Sequence, residues 1–349
     1  ENRPRLLITG ISGYLGSWVT LRALESGKYI VRGTVRDTSD QEKLDYLREG
    51  FGDQFDDIEL YAASLEDKES IADAVKDCDY VIHVASPFPL ENPRNEERDV
   101  IQPAINGNRY ILDSIVGSNV RKLIITSSAL TICDSTQPGD EYDEDTFTKL
   151  NPQMNAYYKS KIRAEEFAFK YVRDLPEEDK TFEMCTVHPG FITGPLLLSR
   201  GVGTSFKVCK SILTNTLKPG LPQMYVAHSD VRDVADAHLL ALEKGRDLER
   251  YAPSSGTHKF IDFATAIDNE FTPLGYKVQT NELSKWMLWV GSWFNSDANN
   301  VLWQWDRKYT MKNDKVKKEF GMEFIGIQKS MVDMCNSIID HGLVEDKRS

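Results

Sequence analysis

A doubly wound α/β fold, in which a parallel sheet carries helices on both faces as in a Rossmann fold, is what this sequence predicts. Three observations predict it. Short β-branched runs alternate with helix-period stretches through the first half. A glycine-rich turn follows the first of those runs, and a turn-rich segment follows the sixth. That rhythm is the signature of right-handed crossovers in one parallel sheet.

Taken in order, strands are expected near 5–9, 29–35, 57–61, 79–84, 121–126 and 181–187. Helices are expected near 14–26, 40–49, 67–76, 95–118 and 155–173. After residue 190 the pattern is mixed, with Gly and Pro clusters at 201–203 and 219–222 and helices near 231–244, 260–270 and 327–340. This divides the chain into a dinucleotide-binding unit over 1–190, with core elements also from about 226–260, and a smaller C-terminal substrate lobe over 191–349. Ligands of such sheets bind at the carboxyl ends of the strands.

Composition narrows the classes. A net charge of −12 and an isoelectric point near 5.1 repel phosphate backbones and anionic bilayers, so nucleic acid is not an expected partner. The basic run at 312–318 is interrupted by Asp314 and reads as a polar helix face. The five cysteines are odd in number and have no C-x-x-C spacing, which argues against a disulfide framework or a metal site and for a reducing, cytoplasmic setting. With a strand expected from residue 6, no secretory leader is expected within the given sequence, a trimmed targeting segment staying open because it starts at Glu without Met, and the apolar cluster at 286–294 is too short for a membrane span. The tryptophans of 286–305 are expected in the core or at a hydrophobic substrate entrance, with a partner or membrane-surface contact the lesser reading.

Directly after the first strand stands T-G-I-S-G-Y-L-G, with Gly10, Gly13 and Gly16, and a helix is expected to open at the last of them. Glycine permits the tight turn, lets the backbone approach a pyrophosphate and lets helix pack on strand, while the helix N-terminus offers N–H groups to the anion. An NAD site would place an acid at the end of the second strand, but here Val35 holds that position and Arg36 follows. A guanidinium there pairs with a 2′-phosphate, so NADP(H) is favoured. Arg32 is a second candidate for that contact, and the adjacent Asp37 weighs the other way.

Tyr157 and Lys161 lie four residues apart in N-A-Y-Y-K-S-K-I-R-A-E-E, on one face of a helix. Reducing a carbonyl requires a proton for the developing alkoxide, and a tyrosine can give it near neutrality if a cation stabilises the phenolate. Lys161 supplies that cation and can hold the nicotinamide ribose. The T-S-S-A segment at 126–129 ends the fifth strand at the carboxyl edge, where Ser128 can donate to the substrate oxygen. Ser127 is the expected turn cap.

With these motifs the chain resembles the extended short-chain dehydrogenase/reductases, in particular the group of dihydroflavonol 4-reductases, cinnamoyl-CoA reductases and methylglyoxal reductases. The similarity runs from about residue 5 to about 340, and also covers V-I-H-V-A-S-P-F, H-P-G-F-I-T-G-P and D-V-R-D-V-A-D-A-H-L-L-A-L-E.

The resemblance implies an NADP(H) groove lined by Gly10, Gly13, Tyr14, Leu15, Gly16, Arg36, Val84, Ala85, Ser86, Thr126 and Lys161, with Pro189 and Ile192 beside the nicotinamide. Ser64 and Leu65 would lie near the adenine, although relatives often carry Asp where Ser64 stands. His188 stands where relatives often have Asn or Ile, and reads as packing rather than as acid or base. Cys133 and Cys185 read as buried thiols. Phe88, Phe206 and Tyr225 are candidate substrate lining.

The activity implied is hydride transfer between NADPH and a small or aromatic aldehyde or ketone by Ser128, Tyr157 and Lys161, in a monomer or homodimer. An epimerase, dehydratase or hydroxysteroid dehydrogenase/isomerase of the same fold, and a non-catalytic dinucleotide sensor, stay open as alternatives.

Overall fold

The computed structural model describes residues 3–86, 93–133, 141–152, 154–200, 203–291 and 301–348. Its centre is β1 (Arg5–Thr9), in which Leu6, Leu7 and Ile8 are fully buried. Only a strand covered on both faces needs three consecutive apolar residues. Leu6 and Ile8 join one apolar cluster and Leu7 the cluster on the opposite face, as the two-residue period of a strand requires.

Around β1 run α1 (Tyr14–Ser26), β2 (Ile30–Val35), α2 (Gln41–Phe51), β3 (Ile58–Ala62), α3 (Lys68–Val75) and β4 (Tyr80–His83). A wide helical turn at Glu97–Ile101 leads into α4 (Gln102–Ile115), followed by β5 (Lys122–Thr126), β6 (Glu141–Tyr142), α5 (Ala156–Asp174) and β7 (Glu183–Val187). The main sheet has seven parallel strands in the order β10, β7, β5, β4, β1, β2, β3, where β10 is Arg250–Tyr251. The order reverses between β1 and β4, which opens a crevice at their carboxyl ends.

The rest of the chain builds a second sheet from β8 (Phe191–Thr193), β9 (Tyr225–Asp230) and β11 (Gly256–Lys259), with β9 central. It packs with α6 (Thr204–Leu213), α8 (Phe260–Phe271) and the helix Ile327–Asp340 around a separate core that includes Phe206, Phe263 and Met331. Between these visits the chain returns to the main sheet. Helix α7 (Val231–Lys244) lies against α1, and the helix Asp314–Phe320 packs on α7, with Phe320 stacked on Tyr251 at 4.4 Å.

Two expectations are corrected here. Helix α1 has the bounds expected for it, 14–26, but it does not open at the last glycine of the turn as the motif suggested, because Gly13, in extended conformation, is its N-cap. Gly16 therefore sits in the first turn, where a Cβ would lie 2.1 Å from the Gly10 carbonyl oxygen. The tryptophans of α9 (Lys285–Gly291) are not core: Trp286 is 68% and Trp289 53% exposed, while Leu288 between them turns inward. Trp303 and Trp305 are half-buried, and Trp293 lies outside the described residues.

Candidate active site

The glycine turn is built by close approach. Gly10 has φ +73° and its Cα position lies against Ala85, so that a Cβ would meet the Ala85 Cβ at 3.0 Å. The Gly10 N–H donates to Thr34 Oγ1 at 3.0 Å, and the Gly13 N–H to the Gly10 carbonyl at 3.0 Å. Helix α1 has neither a side-chain cap at Gly13 nor an acid in its first turn, which leaves its N-terminal N–H groups available to an anion. Tyr14 is tied elsewhere: its hydroxyl donates to the Gly194 carbonyl at 2.6 Å, and burial pushes the phenol well above its usual range. Leu15 is buried in the core beneath the turn.

At the end of β2, Val35 is buried and Arg36 exposed. Arg32 is no phosphate candidate. Its Nε lies 3.2 Å from Glu59, its Nη1 donates to the Ala74 and Lys76 carbonyls, and its guanidinium stacks over Tyr61 at 4.1 Å. Asp37 spends one carboxylate oxygen on the Ser39 N–H and hydroxyl, at 2.8 and 2.7 Å, which holds it below the usual carboxylate range. Near Arg36 lies the Tyr46 hydroxyl, with Ser12 of the glycine turn beside it. After β3, the Ser64 Oγ accepts the Glu66 N–H at 3.3 Å and Leu65 rests against Gly107.

Beyond the crevice, Ala85, Ser86, Thr126, Ser127, Asn108, Lys161 and Glu165 line a small cavity between the strand ends and helices α4 and α5. Thr9 Oγ1 receives the Ala85 N–H at 3.0 Å and lies 2.9 Å from His83 Nδ1. His83 is pushed down to about 3 by burial, reinforced by the Lys161 charge, and so is neutral. Val84 packs against the main core, and Thr126 Oγ1 bonds His238 at 2.8 Å.

The Ser128 turn follows β5. The Ser127 N–H donates to Val187 and the Ala129 N–H to Pro189, so the turn is pinned to the end of β7. The expected division between the two serines is reversed in one respect. Ser128, not Ser127, accepts the turn's capping N–H, from Leu130 at 3.3 Å, whereas the Ser127 hydroxyl donates to Glu165. As an acceptor Ser128 Oγ keeps its own hydrogen for a further partner.

Helix α5 begins at the Asn155 cap, whose Oδ1 accepts the Tyr158 N–H at 3.0 Å, and packs against the Ala129–Thr131 turn. Tyr157 is half-buried and Lys161 buried, with the ammonium 6.0 Å from the Tyr157 ring centroid. Desolvation pushes the Tyr157 phenol up to about 12. Burial pulls Lys161 down to about 8, with Glu165 opposing. At neutral pH the pair is therefore a protonated phenol beside a lysine that is still mainly ammonium.

Pro189 is buried at the β7 exit, and Ile192 is half-buried on β8. Phe206 lies within the core of the second sheet, and Tyr225 is half-buried at the start of β9. Phe88 lies outside the described residues. His188 is fully buried, and burial holds it well below its usual value, so it is neutral. Cys133 and Cys185 are buried free thiols.

Two groups went unread in the sequence. Glu165 continues the 157, 161 spacing by one more turn, a legible signal, and pairs with Arg250 from β10. Gln304, which nothing in its surroundings along the chain marks, bonds the Tyr158 hydroxyl at 3.1 Å. Among the described residues no group of three or more His, Cys, Asp or Glu is placed to hold a metal ion, and no helix is long and apolar enough to cross a membrane.

Comparison with known proteins adds to this geometry. The family model described as "NAD dependent epimerase/dehydratase family" matches residues 6–252. The bifunctional dihydroflavonol 4-reductase/flavanone 4-reductase of Malus domestica is 32% identical over 256 residues, 71% of each chain. Cinnamoyl-CoA reductase 1 of Arabidopsis thaliana is 28% identical over 346 residues, covering 96% of this chain and 89% of that one. The crystal structure of yeast methylglyoxal/isovaleraldehyde reductase complexed with NADPH superimposes with a TM-score of 0.79 at 25% identity, over 97% of this chain and all of that one.

Proposed function

The chain belongs to the NAD dependent epimerase/dehydratase family, and on that premise we propose that it is an NADPH-dependent reductase of small or aromatic aldehydes and ketones. The observation that carries this reading is the placement of Tyr157 and Lys161 on one face of α5, against the Ser128 turn, at the same sheet edge as an uncapped glycine-turn helix. The residues present suit a dinucleotide: Gly10 and Gly16 leave no room for side chains, the α1 N-terminus lacks its own acid, and Arg36 stands exposed beside the turn. NADPH-bound yeast reductase and the plant reductases among the relatives support the choice of cofactor and reaction class.

Bound there, NADPH would supply the hydride. Ser128 donates its hydrogen to the carbonyl oxygen and orients it. Tyr157, protonated at neutral pH, gives its proton to the same oxygen as negative charge develops. Lys161 lowers the cost of the phenolate left behind and holds the ribose hydroxyls, which requires its ammonium form.

A screen of aldehydes and ketones following loss of NADPH against NADH absorbance tests cofactor and substrate class together. Tyr157→Phe is expected to lose turnover by a factor of at least about 10² while binding NADPH as before. Unchanged turnover in that variant overturns the assignment of the acid. NAD carried through gel filtration, with no carbonyl reduction, would favour epimerase chemistry instead.

A further inference from the structure

Beneath the Ser128 turn lies a buried ion pair that the proposed chemistry leaves unused. The Glu165 Oε1 and Arg250 Nη2 are 2.8 Å apart, with side chains 4% and 3% exposed. An apolar pair of similar volume generally stabilises a fold as well as such a pair does, so stability alone gives little reason for it.

The donors around Glu165 suit a carboxylate. Oε1 receives Arg250, while Oε2 receives the Ser127 hydroxyl and the Thr131 hydroxyl at 2.8 Å. Thr131 Oγ1 also lies 2.9 Å from the Ser128 carbonyl, but it has one hydrogen to give. With that hydrogen on Glu165, the Ser128 carbonyl is served by His188 Nδ1 at 3.2 Å, and His188 Nε2 accepts from Thr186 Oγ1 at 2.7 Å. Burial leaves the Glu165 carboxyl above its usual value, with Arg250 and the two hydroxyls opposing the rise. Arg250 is fixed in turn by the Thr131, Glu144 and Thr146 carbonyls.

Ser127 and Thr131 flank Ser128, and Glu165 shares a helix face with Tyr157 and Lys161. We propose that Glu165, braced by Arg250, is a positioning residue for the Ser128, Tyr157 and Lys161 group: it fixes the serine turn against α5 and keeps the Lys161 ammonium charged. This rests on the proposed reductase reading. The titratable groups that face Lys161 include Tyr157 and Glu165 from α5, His83 from β4 and His188 beyond β7. Both histidines are neutral, so Glu165 is the acid that this neighbourhood supplies.

Glu165→Gln removes the charge and takes from Arg250 its buried ion-pair partner, and both changes disfavour the Lys161 ammonium. In NADPH-free protein labelled at the lysine ε-carbon with ¹³C, with the signal assigned by its loss in Lys161→Arg, the Lys161 titration is expected to fall by about one pH unit or more. The alkaline limb of kcat/KM is expected to move with it. Glu165→Asp keeps the charge and should restore the titration while kcat stays reduced. A folded Glu165→Gln protein with the unmodified titration overturns the proposal.

Should that variant fail to fold, Ser127→Ala loosens the grip with the charge intact. It is expected to lower kcat about tenfold with the Lys161 titration unmoved, and an unchanged kcat overturns the positioning role. Unmodified protein that oxidises no NADPH with any carbonyl would sink the reductase reading, whereas the Lys161 titration still tests Glu165.

Discussion

Arg32 and Glu59 meet across β2 and β3 with Nε and Oε2 3.2 Å apart, and this contact separates the tasks of the two arginines near the end of β2. Arg32 is committed to the sheet, while Arg36, four residues on, stays exposed beside the glycine turn. Arg36→Ala is therefore expected to raise KM for NADPH at least about tenfold and leave that for NADH little changed, since it removes one charge-assisted phosphate contact. Arg32→Ala should instead cost about 2 kcal/mol in urea unfolding by orphaning buried partners, with cofactor preference unaltered.

The pH dependence of the proposed reduction follows from Lys161. Its folded value of about 8 lies below the ordinary lysine value, so the ammonium form dominates below pH 8 and is lost as pH rises through it. Tyr157, at about 12, stays protonated over the same range. The profile of kcat/KM for NADPH, which reports the free enzyme, is expected to be flat from pH 6 to about pH 7 and to fall above pH 8. A profile that rises through pH 8 would contradict the assignment.

Asp233 makes a separate prediction about stability. It is buried in the first turn of α7, accepts the Ile325 N–H at 2.8 Å, and is raised to about 7 by desolvation and then by Asp230 and Asp236. A carboxyl whose folded value exceeds its unfolded one destabilises the fold increasingly as pH rises from near 4 to 7, and the full penalty is present above 7. Asp233→Asn should therefore stabilise the protein at pH 8 by about 2–4 kcal/mol, with the gain gone at pH 4. Urea midpoints at the two pH values check it.

A methyl group at position 16 has nowhere to go, since it would meet the backbone oxygen and carbon of Gly10 at 2.1 and 2.9 Å. Gly16→Ala should displace α1 from the turn, lower stability by about 1–3 kcal/mol and abolish NADPH binding. Thermal melting and fluorescence titration read the two effects.

Helix α9 offers an exposed and a buried position to compare. Trp286→Ala should change stability by no more than about 0.5 kcal/mol, whereas Leu288→Ala, which removes a buried side chain, should cost about 2 kcal/mol or more.

The main sheet was legible because its strands are covered on both faces, and such strands must be written as unbroken apolar runs like residues 6–8. The glycine turn was legible for an equally local reason, that backbone approach excludes side chains at fixed spacing. The seventh strand was not, because Arg250–Tyr251 is two residues long and begins with a charge whose acceptors lie more than 80 residues away along the chain. Arg32 misled for the same cause: position along β2 says that an arginine is near the edge, but not that Glu59, Tyr61 and the end of α3 surround it. The tryptophans of α9 misled because ring size speaks for burial only where a second layer exists to cover it.

The edge strand at 250–251 has a consequence for the order in which the protein can be assembled. A nascent chain released at residue 190 would carry the glycine turn, the serine and the tyrosine–lysine helix, yet its carboxylate at 165 would lack Arg250 and the α1 face would have no α7 to cover it. Residues 1–190 thus complete neither the Glu165 ion pair nor the covering of α1 until the stretch 231–251 has been added.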